Sequence, residues 1–362
     1  MYLRKLISFY KILTLNIIKL AWKKILRNEY FEMNEALKQT NASFFQYPYY
    51  AEGYKYILRS KSIYLKYTIS NSVAAYCTIM EIGIWPFKVG LIIRGPVLID
   101  YNINLNELFN GLQQYAKQAG YMFLRINPNE AQIDKYLSEN NVFIQEDYFP
   151  YYKGSQNKNF NISNKPTEDL LASFNQMCRR KIKHAEAVDF TYKYVETETE
   201  LKQVYDLFTK VGNKKNFKYR AYKSYKEIYD NGKKHDLCTV YIALLNTKII
   251  AAGFIVKDKN YYNYLSGGLI VDGYESKNSP SAKLHYLAMQ DCFEKEDKMF
   301  YNISYSGPDS DVYKFKSSFN PEVEDMPDYY TFISNKWATS IFRALSLKNV
   351  KKVRKFIRSI TK

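Results

Sequence analysis

Hydrophobic periodicity runs twice through one order of elements, and that repeat restricts the fold more than any single motif does. In the first half, apolar and β-branched runs at 64–84 and 89–99 flank Trp85-Pro86-Phe87-Lys88, which predicts a hairpin connection. After a helical segment at 105–119 closed by Gly120, residues 121–126 read as a strand stopped by Asn127-Pro128. A helix at 132–140 and a strand-like run at 142–151 complete that half. In the second half, helices at 201–211 and 222–231 precede a hairpin, 239–245 and 249–257, across Asn246-Thr247-Lys248. A strand at 261–270, a helix at 281–295, a strand at 299–304, a helix at 312–318 and a strand at 323–333 follow. Both halves close on paired tyrosines, Tyr151-Tyr152 and Tyr329-Tyr330. The seam falls at 153–165, where Gly, Ser, Asn, Gln and Lys replace the apolar pattern.

Strands alternating with crossover helices around antiparallel hairpins imply an α/β (α+β) chain of two mixed-sheet domains, with a cleft between them for a long substrate. Length agrees, because 362 residues exceed the usual single core. The expected division is a basic helix at 1–28, a first domain at 29–155, a second at 156–335 and a basic helix at 336–362.

The net charge of +17 sits at the ends of the chain. Residues 1–28 carry seven basic side chains and 331–362 carry nine, with no acid in either arm, so the body between them is nearly neutral. Each arm is also amphipathic: Leu6, Leu13, Ile17 and Ile25 share one helical face, as do Phe342, Val353, Phe356 and Ile360. Neither arm has the ~20 uncharged apolar residues of a membrane span, and Lys11 and Lys19 interrupt the first too early for a cleaved signal. Basic amphipathic helices rest in the headgroup layer, where each cation near anionic lipid adds roughly 1 kcal/mol. Attachment to an anionic membrane surface is therefore expected, with two ordinary helices packed on the body, or a nucleic-acid arm, as the alternatives. Cys77, Cys178, Cys238 and Cys292 form no C-x-x-C pair, as suits reduced thiols in the cytoplasm, and His184, His235 and His285 lack ligand spacing, so no metal site is expected.

Residues 174–190, FNQMCRRKIKHAEAVDF, continue a helix expected to start at Thr167. Leu170, Phe174, Cys178, Ile182 and Ala185 recur at three- and four-residue spacing while Arg179, Arg180, Lys183 and His184 project elsewhere. That basic side is either a solvated face or a small phosphate site beside the cleft. No P-loop, G-x-G-x-x-G or nucleophile elbow occurs. Arg94-Gly95-Pro96 closes a strand with Asp100 just beyond, and a planar guanidinium there suits phosphate or carboxylate, a plain turn being the alternative. Tyr261, Tyr262 and Tyr264 precede Ser266-Gly267-Gly268 and either pack in a core or hydrogen-bond a ligand in a cleft. Phe315 and Phe319, four apart, anchor a helical turn and fix the direction of Lys316, whose ammonium suits an oxyanion or phosphate unless it is simply at the surface.

In their order along 41–330, the segments FFQYPYYAEGYK, IIRGPVLID, MCRRKIKHAEA, YYNYLSGG, MFYNISYSGP and YKFKSSFN resemble the FemABX family, the Fem-type peptidoglycan-bridge aminoacyltransferases. The resemblance implies two domains of the acetyltransferase (GNAT-like) fold in tandem. It also implies transfer of an amino acid from aminoacyl-tRNA to an amine on the peptide of a lipid-linked envelope precursor, at the inner face of the plasma membrane and with no bound cofactor. By the same resemblance Lys316 and Asp100 are the catalytic candidates, Arg94 and Tyr264 bind the precursor, and Arg179 and Arg180 meet phosphate or the tRNA acceptor end. The chain departs from the family at Asn302, where Asp follows the tyrosine, and at Asn320, where Gly is usual. A neutral body is also unlike a tRNA binder, since cations neutralising phosphates supply most of that affinity. Two alternatives stand beside this reading: an acyl-CoA N-acyltransferase of surface polysaccharide biosynthesis, and a precursor-binding relative without catalysis. Against acyl-CoA, neither half shows a Gly-rich pyrophosphate loop before a helix.

Overall fold

Ser70 and Asn71 both take left-handed backbone, φ 49° and 69°, and this two-residue turn folds the first long apolar run back on itself. What reads in sequence as one β-rich stretch is thus two strands in the computed structural model, which describes residues 22–56, 60–84, 87–145, 158–270, 279–308 and 310–348. The first half consists of β1 (Trp22–Lys24), α1 (Tyr30–Lys38), α2 (Pro48–Ala51), β2 (Lys61–Ile69), β3 (Ser72–Ile84), β4 (Phe87–Ile93), β5 (Val97–Leu98), α3 (Leu105–Gln118), β6 (Phe123–Asn127), α4 (Ala131–Glu139) and β7 (Phe143–Ile144). The second begins with β8 (Lys158–Ser163), α5 (Thr167–Ser173), α6 (Gln176–Glu186), β9 (Phe190–Tyr194), α7 (Glu198–Lys214), α8 (Tyr222–Lys234), β10 (Cys238–Leu245), β11 (Lys248–Lys257) and β12 (Tyr261–Leu269). It ends with α9 (Pro280–Gln290), β13 (Phe300–Asn302), α10 (Asp311–Ser317), β14 (Glu322–Asp325), β15 (Tyr330–Ile333) and α11 (Lys336–Lys348).

Two mixed sheets result, with orders β1-β2-β3-β4-β6-β15-β7 and β14-β8-β13-β12-β11-β10-β9, and β5 lies against β3. Each contains an antiparallel meander followed by one parallel pair. In the first sheet α3 lies between β4 and β6 in the chain, and in the second α9 lies between β12 and β13, which is the repeat in structural form. Separate cores serve the sheets: Leu108, Phe109 and Leu112 of α3 lie with the first, and Cys178, Ile182, Ala288 and Met289 of α6 and α9 with the second. A further core joins the halves, where Tyr49 and Tyr50 of α2 pack with Ile228 of α8 and Phe254 of β11. Polar contacts reinforce it, since Ser224 Oγ donates to Gly53 O at 2.8 Å and Tyr49 Oη to Lys257 O at 2.9 Å.

Four local expectations are corrected. Residues 22–24, placed in a helix at 1–28, form the edge strand β1 because Trp22 turns into the core while Lys23 and Lys24 face out; residues 1–21 lie outside the described residues. Part of the expected seam is β8, in which Phe160 and Ile162 alternate inward. The final strand, β15, leaves the second half and enters the first sheet between β6 and β7. The helix drawn from Thr167 breaks at 174–175, where Asn175 Oδ1 accepts the Cys178 N–H at 2.9 Å and starts α6. At the C-terminal end, Ala338 and Phe342 of α11 pack against the first sheet and Trp337 is 71% exposed, while 349–362 lie outside the described residues. Among the described residues no helix is long and apolar enough to cross a membrane.

Trp22 pins the edge strand to α3: it is 3% exposed, its indole N–H donates to Leu108 O at 2.9 Å, and Gly111 leaves room for its ring. Trp22→Ala should lower the unfolding free energy in urea by about 3–5 kcal/mol, and Trp22→Phe by clearly less. Equal urea midpoints for wild type and Trp22→Ala would show that β1 adds nothing to the core.

Candidate active site

Pairing of β4 with β6 ends at Ile93 and Asn127, and pairing of β12 with β13 ends at Asn263 and Asn302. Beyond those residues each parallel pair opens into a wedge, and both wedges face one cleft of about 740 Å³ between the halves. Arg94, Asn127 and Tyr329 line it from the first sheet, and Tyr264, Asn302 and Ser304 from the second half.

Gln46, from the FFQYPYY segment, locks the first wedge. Its Oε1 accepts the Thr78 N–H at 2.8 Å and its Nε2 donates to Ile93 O at 2.6 Å, closing the end of β4. The next residue, Arg94, has φ 57°, which a bulky side chain adopts only where its surroundings compel it. Gly95 follows because Gln46 fills the space a side chain would need: a Cβ would lie 2.5 Å from Gln46 Cδ. Its N–H donates to Asn127 O at 3.1 Å across the wedge, and the Gly95–Pro96 bond is cis. Arg94 is 8% exposed, and its Nη1 has no hydrogen-bond partner. Burial lowers the guanidinium pKa, against the opposing influence of Tyr329, Glu324 and Tyr261.

A β-bulge shapes the second wedge. Phe254 stands opposite Ser266 and Ile255 opposite Tyr264, so Leu265 is an extra residue that re-aims its neighbour. The Tyr264 hydroxyl lies over Gly267, where any Cβ would overlap it. Ser304, at φ 62°, donates from Oγ to Tyr264 O at 2.8 Å and from its N–H to Asn302 Oδ1 at 2.7 Å. Behind this wall comes Lys316 on α10, a helix started by Ser310 Oγ accepting the Tyr313 N–H at 3.0 Å. Lys316 Nζ donates to Ser304 O at 2.9 Å and lies 5.7 Å from the centre of the Tyr264 ring. It is 7% exposed, and burial brings its pKa down to about 8.

Of the residues singled out in sequence, Arg94 and Tyr264 therefore meet in the cleft, with Lys316 one layer behind. Asp100 does not join them: it is exposed, and its Oδ1 accepts the Asn102 N–H at 2.9 Å in a surface turn. Arg179 donates to Ala172 O at 3.0 Å and to Phe174 O, closing the C-terminal end of α5, and Arg180 is exposed; neither lines the cleft. Three cleft residues escaped the sequence reading. Arg220 donates to Tyr50 Oη at 2.7 Å and stacks over Tyr50 and Tyr54. Asp258 accepts from Tyr261 N at 2.9 Å, Asn263 Nδ2 at 3.0 Å and Phe44 N at 3.4 Å, and burial raises its pKa to about 6. Glu130, also raised by burial, accepts from the Tyr101 hydroxyl at 3.3 Å. A signal for Arg220 existed, since residues 209–223 hold six basic side chains and no acid. Among the described residues no group of three His, Cys, Asp or Glu could hold a metal ion.

Residues 172–314 match the family model described as an acetyltransferase (GNAT) domain, so the second half is a GNAT-type acyltransferase domain. Among solved structures, the chain is similar to FemX, at 14% identity and a TM-score of 0.75, over 89% of this chain and 99% of that one. It is also similar to a conserved protein of unknown function from Bacteroides thetaiotaomicron VPI-5482, at 13% identity and a TM-score of 0.59, covering 86% and 98%. A third likeness is to the C-terminal domain (DUF2156) of a putative lysylphosphatidylglycerol synthetase from Agrobacterium fabrum, at 13% identity and a TM-score of 0.53, covering 88% and 96%. No curated protein sequence matches the chain. The fold is thus the two-domain GNAT-like architecture that the resemblance to Fem-type enzymes implied.

Lys316 makes stability depend on pH in a defined direction. Its amine titrates near 8 in the fold against 10.5 when free, so between these values the unfolded chain binds the extra proton and stability rises with pH. Lys316→Met removes that rise. The difference in unfolding free energy between wild type and Lys316→Met should move by on the order of 2–3 kcal/mol in favour of wild type from pH 8 to 10.5. A difference that stays constant with pH would show a solvated ammonium.

Proposed function

We propose that this chain transfers an aminoacyl group to an amine on the peptide of a lipid-linked cell-wall precursor, working on the inner surface of the plasma membrane. The observation that carries the reading is Arg94, a guanidinium buried at the first wedge with no ion pair to a carboxylate among the described residues. Glu324 acts on this buried cation without forming an ion pair, Nη1 stays without a hydrogen bond, and an anion on the ligand offsets the cost of that burial. A carboxylate or phosphate of the acceptor is the complementary group, taken up by the planar fork. Tyr264 lines the same cleft from the second half.

Chemically, the acceptor nitrogen attacks the carbonyl carbon of an activated ester, the C–N bond forms, and the C–O bond to the carrier breaks. The nitrogen gives up a proton and the leaving hydroxyl takes one. Lys316, held behind Ser304 and Tyr264, supplies positive potential to the oxyanion that forms between these steps. Likeness in fold to FemX and to the C-terminal domain of a putative lysylphosphatidylglycerol synthetase supports an aminoacyl donor. The GNAT domain match favours a second reading, in which acyl-CoA is the donor and a surface polysaccharide precursor the acceptor. Product mass after incubation with lipid-linked precursor and either charged tRNA or acyl-CoA separates the two. Precursor retained without product from either donor would leave a binding protein and overturn both.

Arg94→Met should raise the acceptor KM by roughly 10- to 100-fold, the loss of a charge-assisted pair, while the melting temperature of the free protein stays level or rises because a desolvated charge is gone. A lower melting temperature with unchanged KM would make Arg94 structural. For the membrane, removing 1–21 and 349–362, which hold most of the arms' cations, should abolish sedimentation with phosphatidylglycerol vesicles and leave the core folded. Undiminished sedimentation would place the membrane contact elsewhere.

A further inference from the structure

Among the described residues the ammonium of Lys316 donates one hydrogen bond, to Ser304 O, and it lies over the face of Tyr264. The ring therefore helps set where the ammonium lies. Tyr264 is fixed from several sides. Gly267 makes room for its hydroxyl, and at Gly253 a Cβ would come within 3.6 Å of Cε2. On another side the ring meets His285 of α9 edge to face, centroids 4.6 Å apart at 70°. His285 is itself 2% exposed, its Nδ1 lies 2.7 Å from Tyr301 Oη, and Phe315 and Phe319 enclose it at 5.7 and 5.6 Å. Phe315 and Lys316 are adjacent on α10, so the imidazole touches both the ring under the ammonium and the helix that carries it.

We propose that His285 is a positioning residue for Lys316: its neutral imidazole, hydrogen-bonded to Tyr301, backs the Tyr264 ring and so keeps the Lys316 amine on the Ser304 carbonyl at the second wedge. Its bearing on catalysis rests on the acyl-transfer reading, whereas the contact itself does not. Among the described residues, the groups tied to Lys316 are uncharged: Ser304, the Tyr264 ring and His285 from α9, with Tyr301 of β13 reached through His285 and Tyr219 and Tyr225 through Tyr264. No carboxylate lies among them. Burial first, and the Lys316 charge second, hold the imidazole pKa down at about 3, so it stays neutral while Lys316 titrates. An enclosure without counter-charge also keeps the amine of Lys316 desolvated. Opening a void behind Tyr264 lets the ring fall back and water in, and an ammonium in contact with water holds its proton to higher pH.

The test follows the amine itself. Full-length protein is pulsed with isotopically labelled acetic anhydride at a series of pH values, and acetylation of Lys316 is read by peptide mass spectrometry. Wild type should reach half-maximal rate near pH 8. His285→Ala should move that midpoint up by one unit or more, which is at least about a fivefold loss of neutral amine at pH 8. His285→Phe, which restores a ring of similar size without a titrating nitrogen, should return the midpoint to near wild type. An unmoved midpoint in His285→Ala, or a shift in His285→Phe as large as in His285→Ala, would overturn the proposal. Should His285→Ala fail to fold, Tyr264→Leu removes the intermediate ring and must shift the midpoint the same way; an unmoved midpoint there is equally fatal. In the transfer assay the pH dependence of kcat should follow the chemical midpoint while acceptor KM stays within about twofold, since the ligand's anion sits at the other wedge. A midpoint that moves in a protein without transfer activity upholds the positioning role and overturns the acyl-transfer reading alone.

Discussion

Two parallel strands that stop pairing while their chains run on leave backbone donors and acceptors facing a gap, and polar groups must be found for them. That constraint applies twice here and organises what surrounds it. At the first gap Gln46 takes the Ile93 carbonyl, Asn127 takes the Gly95 N–H, and the chain turns through left-handed Arg94. At the second, Lys316 takes the carbonyl of left-handed Ser304, whose hydroxyl returns to Tyr264. The groups that satisfy the gaps thus include or adjoin the best chemical candidates in the molecule. The aromatic core between α2, α8 and β11 turns the two gaps toward one space.

Much of this was legible before any coordinates. Periodicities of two and of three to four found the meanders, the crossover helices and the strands after them, because those elements bury one face and the alternation survives in sequence. Arg94, Tyr264 and Lys316 stood out for local reasons, each beside a glycine pair, a Gly-Pro turn or a fixed aromatic turn. Other features could not be read that way. Asp100 lies only a few residues beyond Arg94, yet the chain has by then left the wedge for a surface turn. Arg179 looks like a ligand-binding cation in sequence but spends its guanidinium on the carbonyls that end α5, and nothing local announces that break except Asn175, a cap residue inside an otherwise helical pattern. Asp258 gains meaning only when Phe44, more than two hundred residues earlier, arrives at its carboxylate.

Charge shows the same limit of averaging. The body is close to neutral as a sum, but the sum hides the stretch 209–223, whose cations run uninterrupted by acid from α7 to α8. At its inner end Tyr219 donates to Gly267 O at 2.6 Å and Arg220 enters the cleft, so this positive segment is tied directly to the strand that carries Tyr264.

The path of β15 makes the two halves inseparable in a way that their similar order of elements conceals. Tyr330 pairs with Ile126 and Thr331 with Ile144, so β15 fills the position between β6 and β7. Until the chain has been made as far as Ile333, the first sheet has a missing rung with exposed edges on both sides of it. In topological terms the second half is an insertion within the first sheet, entered after β7 and left before β15. Closing that long loop is entropically the last contact to be rewarded, so the first sheet and the cleft it forms are completed together.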